Sequence, residues 1–173
     1  MIVEIFRNII RFLLLLFVQV LVVKNIPFNP YFIALPYVLF ILMLPFETPG
    51  SIVLLSAFVL GLSVDAFYDT QGMHASACVL MAFTRLYYLR LISPREGYDV
   101  LMKPTIQYMG SAWFLSYALL LIFVHHFLLF NLEVFSFRNF FSSLLRSIGS
   151  TLSTFVFCYI IQFLFYRTKG ANA

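Results

Sequence analysis

Apolar runs and short polar breaks alternate along the whole chain. The runs cover approximately residues 9–23, 31–46, 51–67, 73–92, 105–130 and 140–166. The breaks are built from residues that end helices or turn the chain. They include Lys24, Asn25, Pro27, Asn29 and Pro30, then Glu47 to Gly50, then Asp69 to Gly72. A charged stretch with Pro94, Arg95, Glu96, Gly97, Asp99 and Lys103 follows, and Asn131, Glu133, Arg138 and Asn139 form the last break. A helix that crosses a bilayer takes about 20 mostly apolar residues. The pattern therefore predicts an all-α membrane protein, a compact bundle of six transmembrane helices in one polytopic domain spanning residues 1–173. The second and third runs are short. Pro36 inside the second should kink it or mark a non-helical entry.

Composition sharpens this picture. Of the 173 residues, 62% are hydrophobic and 10% charged, against about 45–50% and about 25% in soluble domains. Mean hydropathy is +0.97. A soluble globule of this size would leave large apolar patches in water. A cytosolic enzyme, a disordered chain and a disulfide-rich secreted domain are thereby excluded. Six spans use about 120 residues, which leaves no room for a soluble catalytic domain. Cys78 and Cys158 lie inside apolar runs and read as small hydrophobes, not as a disulfide.

The net charge of +4 matters less than where it sits. With the N-terminus inside, the inner side holds Arg7, Arg11, Arg90, Arg95, Lys103, Arg167 and Lys169, and the outer side holds Lys24, Arg138 and Arg146. This asymmetry places both termini in the cytoplasm. Arg7 and Arg11 ahead of an apolar run imitate a signal peptide, but Val22, Val23, Lys24 and Asn25 offer no small-residue cleavage site, so the run reads as a retained span. There is no basic cluster interleaved with aromatics to suit nucleic acid.

Polar groups inside spans are costly and have a partner or a task. Ala57, Gly61 and Asp65 share one helix face at a spacing of four, and small residues there admit a close neighbour. Asp65 could then cap the start of the next helix, around Gly72, His74 and Ala75, with Asp69 and Gly72 in the intervening turn. The alternative is a substrate or proton site; the structural lock is the favoured reading. His74, Cys78, Ala82 and Arg85 form a second stripe. Arg85 either snorkels to the head groups or pairs with an acid. Ser143, Arg146, Ser147, Ser150, Thr151 and Thr154 form a third, read as a helix-packing face or else a partner-helix surface. His125, His126 and His74 lie near one level, but adjacent helical residues diverge by about 100° and no metal-binding spacing occurs. No catalytic motif is present, and nothing calls for a cofactor.

Gly61-Leu62-Ser63-Val64-Asp65, followed by Gly72-Met73-His74-Ala75, resembles the signature of the MreD family of rod shape-determining membrane proteins, a G-L-x-x-D element followed by G-x-x-A at the next helix start. Gly61, Leu62, Asp65, Gly72 and Ala75 carry the match. The resemblance implies a non-enzymatic scaffold of the bacterial cell-elongation machinery in the inner membrane. Its partner would be the single-span protein MreC, with MreB filaments and peptidoglycan synthases reached indirectly. That family is similar in fold to the vitamin-binding subunits of energy-coupling-factor transporters, which makes such a subunit the runner-up. A membrane metalloenzyme is the third reading.

Overall fold

In the computed structural model, residues 2–27, 29–95, 97–99, 102–135 and 139–165 are described, and every regular element among them is helical. Helix α1 (Ile2–Phe17) runs on through a π turn (Val18–Val22) and a 3-10 turn (Val23–Asn25). A 3-10 turn (Pro36–Val38) leads into a four-residue helix α2 (Leu39–Leu42). Then come α3 (Gly50–Tyr68), α4 (Met73–Leu91), the short α5 (Ile106–Met109), α6 (Ser111–Val134) and α7 (Phe140–Phe165). Among the described residues, four stretches are long and apolar enough to cross a membrane: Val3–Asn25, Gly50–Tyr68, Ser111–Val134 and Phe140–Leu164. Their exposed faces, such as Leu55, Phe58 and Leu62 on α3 and Leu145, Leu152 and Val156 on α7, are apolar, as lipid contact demands.

Helix α4 has the length of α3 but carries His74, Arg85 and Arg90, which lower its hydropathy. It packs between α3 and α6, and α6 packs in turn on α7. The predicted fifth run is broken at Gly110, whose φ of 81° separates α5 from α6. The end of the predicted sixth run at Tyr166 lies outside the described residues, as do Glu96, Arg138, Arg167 and Lys169.

The second predicted span requires correction. Residues 31–46 do not form a transmembrane helix. The chain is non-helical up to Leu35, turns at Pro36–Val38, and completes only the short α2. Pro27, Pro30 and Pro36 explain this: each removes an amide donor, and each keeps the residue before it out of helical geometry. Leu35 accordingly has φ −128° and ψ 65°. This segment is nonetheless the centre of the protein. Tyr37, Val38, Ile41 and Leu42 have no exposed surface. The long helices enclose a broken segment rather than a sixth parallel helix.

Candidate functional site

Backbone without regular hydrogen bonding is tolerated at membrane depth only where protein groups satisfy it. Helix α7 does this for the segment leading to Pro36. Ser150 Oγ accepts from the Ile33 amide at 3.0 Å, and Thr154 Oγ1 accepts from the Leu35 amide at 3.0 Å. The same hydroxyls lie 3.4 Å from the carbonyls of Tyr31 and Ile33. Arg146 Nε donates to the Pro30 carbonyl at 3.0 Å. The spacing explains the fit. Two residues of extended chain advance about 6.6 Å, and four residues of helix advance about 6 Å. Residues 150 and 154 therefore keep step with the amides of Ile33 and Leu35, while Arg146 reaches the turn before them. Gly149 permits the approach, since a Cβ there would strike the Tyr31 carbonyl oxygen.

The far end of the segment is closed by α4 and α6. Tyr117 Oη donates to the Leu42 carbonyl at 2.9 Å. Arg85 donates to the Leu44 carbonyl and, through Nε, to Tyr117 Oη at 2.8 Å. Arg11 Nη1 donates to the Met43 carbonyl at 3.1 Å. Cations thus meet the carbonyl end of α2, which has no helix beyond it to satisfy them. Arg85 is 1% exposed. It neither snorkels nor, among the described residues, meets a carboxylate. Its planar fork instead spans two acceptors on different elements.

The α3–α4 hairpin is locked by Asp65. Gly72 is the N-cap of α4, with φ 88°, and has no side chain with which to cap it. Asp65 supplies the missing acceptors. Its Oδ1 accepts from the His74 amide at 2.9 Å and its Oδ2 from the Ala75 amide at 2.9 Å. Thr70 Oγ1 donates to Oδ1 at 2.7 Å. The carboxylate also lies at the positive end of the α4 dipole. Gly61 brings the helices close enough: a Cβ there would stand 2.6 Å from the His74 carbonyl oxygen and 2.7 Å from the Ala75 amide nitrogen. Ala57 continues that buried face. Asp69 lies in the turn between the two helices. It is exposed, and its left-handed backbone (φ 56°) ends α3.

His74 joins this lock to the core. Its Nδ1 lies 2.7 Å from Tyr37 Oη, which also lies 2.8 Å from His125 Nε2. A hydroxyl carries one proton, so between neutral rings Tyr37 donates to one imidazole and accepts from the other. His125 Nδ1 is buried and has no hydrogen-bond partner among the described residues. His126 turns away, with Nε2 3.1 Å from Thr154 Oγ1 and Nδ1 2.9 Å from the Ile122 carbonyl. On the neighbouring side Gln19, in the π turn of α1, donates to Tyr68 Oη at 2.7 Å. Among the described residues no three His, Cys, Asp or Glu side chains are grouped as metal ligands.

The predicted α7 stripe divides in two. Ser150 and Thr154 hold the extended segment, whereas Ser147 and Thr151 bond back to the carbonyls of Ser143 and Ser147. The stripe faces both the irregular chain and helix α6, where Thr154 meets His126. Arg146 also pairs with Glu133 at 2.8 Å and lies over the Phe130 ring. Sequence reasoning missed Tyr37, Tyr117, Gln19 and Gly149. Gln19 was detectable as a lone amide in an apolar run. The others look like ordinary span residues.

The site is thus a set of backbone-satisfying side chains around a broken central segment in an α-helical membrane protein. Comparisons with family models, curated proteins and solved structures returned no match for this chain.

Proposed function

We propose that this protein is a non-enzymatic scaffold subunit of the bacterial cell-elongation complex, resident in the cytoplasmic membrane with both termini inside. Its direct partner is a single-span protein of the MreC kind, and MreB-like filaments and peptidoglycan synthases are reached through it. One observation carries the reading: of the five residues that resemble the MreD signature, four meet at one joint, and Leu62 faces outward beside it. Gly61 and Asp65 of α3 lie against His74 and Ala75 at the start of α4, and Gly72 makes the turn. A motif spent mainly on holding two helices suits a protein that presents a fixed surface. The charge asymmetry supports the orientation. Arg7, Arg11, Arg90, Arg95 and Lys103 belong to one end, where Lys103 bridges to Glu4 at 3.1 Å, and Lys24 and Arg146 to the other.

Affinity for a partner span would come from van der Waals packing and a few interhelical hydrogen bonds. The test is mild-detergent purification of the tagged full chain, with mass spectrometry of everything retained. Recovery of a single-span protein with a periplasmic coiled coil is expected. A retained vitamin-like molecule with an ATPase module would overturn the proposal in favour of a transporter subunit. Stoichiometric metal lost on His74→Ala or His125→Ala would overturn it in favour of a metalloenzyme.

A further inference from the structure

At the end of the bundle remote from the α3–α4 turn, the chain entering α5 reaches two helices. Lys103 bridges to Glu4 of α1 at 3.1 Å, and the Ile106 amide donates to Gln162 Oε1 of α7 at 3.2 Å. The second joint holds two polar atoms with nothing to bond. Thr105 Oγ1 and Gln162 Nε2 are buried and have no hydrogen-bond partner among the described residues. Both residues are 1% exposed. Turning the Gln162 amide round does not relieve this. The Ile106 N–H is a donor, so it fixes the amide oxygen toward itself and leaves Nε2, with two protons, facing elsewhere. Thr105 is the N-cap of α5, where a hydroxyl ordinarily accepts from an amide of the first turn. Here the Thr105 carbonyl takes the Tyr108 and Met109 amides, at 3.2 and 3.0 Å, and the hydroxyl caps nothing.

We infer that Thr105 and Gln162 bind one water molecule, which accepts from Gln162 Nε2 and bonds to Thr105 Oγ1. Buried polar side chains in folded proteins are paired in the large majority of cases, with protein or with ordered water. A buried water needs at least two polar partners. These two stand on either side of a single hydrogen bond, from the Ile106 amide to Gln162 Oε1. The chemistry selects water over an ion. Neither side chain is charged, and a cation would face the protons of Nε2. A buried anion would need a cation beside it, and Lys103 is engaged with Glu4. Water can accept from an amide and also donate to a hydroxyl oxygen. It gives the start of α5 a second link to α7, next to the Ile106 bond. The inference is independent of any partner of the bundle.

Solid-state NMR of the full chain in lipid bilayers tests this, with isotope-labelled glutamine and polarisation transferred from water. The Gln162 side-chain signal is assigned by its correlation to the Gln162 backbone. Strong transfer from water to that signal is expected in the wild-type chain, although the residue is buried. Thr105→Val keeps the side chain's shape and removes the hydroxyl, and should reduce the transfer several-fold. Thr105→Ser keeps the hydroxyl and should keep the transfer, which separates loss of a partner from loss of shape. Absence of transfer to Gln162 in the wild-type chain would overturn the inference, since Nε2 would then meet Thr105 directly or stay dry. So would equal transfer in wild type and Thr105→Val, because the hydroxyl would then be no part of the site.

Discussion

Asp65 caps a helix to which it does not belong: its Oδ1 takes the backbone amide of His74 at 2.9 Å, in the first turn of α4. Helix α4 begins at a glycine and would otherwise leave buried donors open. Because Oδ2 takes the next amide and Thr70 donates to Oδ1 as well, both carboxylate oxygens are committed.

Asp65→Asn retains one acceptor and turns an NH2 group toward donors, whereas Asp65→Leu retains none. Each unsatisfied buried amide costs about 1–3 kcal/mol. Both variants should unfold at lower temperature than wild type in detergent, Leu further than Asn. Equal melting of the two, with partner recovery lost in both, would point to a need for the charge itself.

Gly61 and Gly72 should fail for different reasons when changed to Ala. At Gly61 the new methyl meets the backbone of His74 and Ala75, which cannot move alone, so overpacking of about 1–3 kcal/mol is expected. At Gly72 the added Cβ meets nothing within 4 Å, and the cost is the left-handed backbone alone, about 1–2 kcal/mol. Crosslinking between α3 and α4 separates them: its efficiency should fall in Gly61→Ala and hold in Gly72→Ala.

Thr154→Val removes the acceptor for the Leu35 amide while keeping the side chain's shape. A loss of about 1–3 kcal/mol is expected. Ser147→Ala removes only a bond to its own helix and should be nearly neutral. Amide exchange at Leu35 measured in micelles should accelerate in the first variant and not in the second.

Tyr37→Phe strips the hydroxyl shared by His74 and His125 and leaves two ring nitrogens unpaired in a dry core. Destabilisation by about 2 kcal/mol or more is expected. Adding Leu at both histidines should recover part of that loss, because apolar groups need no partner there. No recovery in the triple variant would show that the rings act through packing rather than through the hydroxyl.

Much of the hairpin was legible in the chain. The spacing of Ala57, Gly61 and Asp65 indicates a close-packed face ending in a carboxylate, and a carboxylate within reach of a helix start has few other uses. The α7 stripe was legible as a contact face but not in its target. Hydroxyls four apart suit a neighbouring helix and an extended chain equally well, because their axial steps are similar. The fate of Arg85 was not legible, since its acceptors are backbone carbonyls, and every residue has one.

By itself, the sequence determined that this is a helical membrane protein, because hydrophobic runs of bilayer length and the local rules for Pro, Gly and Asp act through neighbouring residues. It also placed the α3–α4 lock, whose parts lie within one hairpin. Only the tertiary structure decided that residues 31–46 are a broken segment, buried from Ala34 to Leu44, and not a span. Its backbone is stabilised by Ser150 and Thr154 more than a hundred positions away and by Arg85 and Tyr117 on two other helices. An apolar run interrupted by proline can satisfy its amides in either form. The choice falls to whichever distant side chains stand ready to receive them.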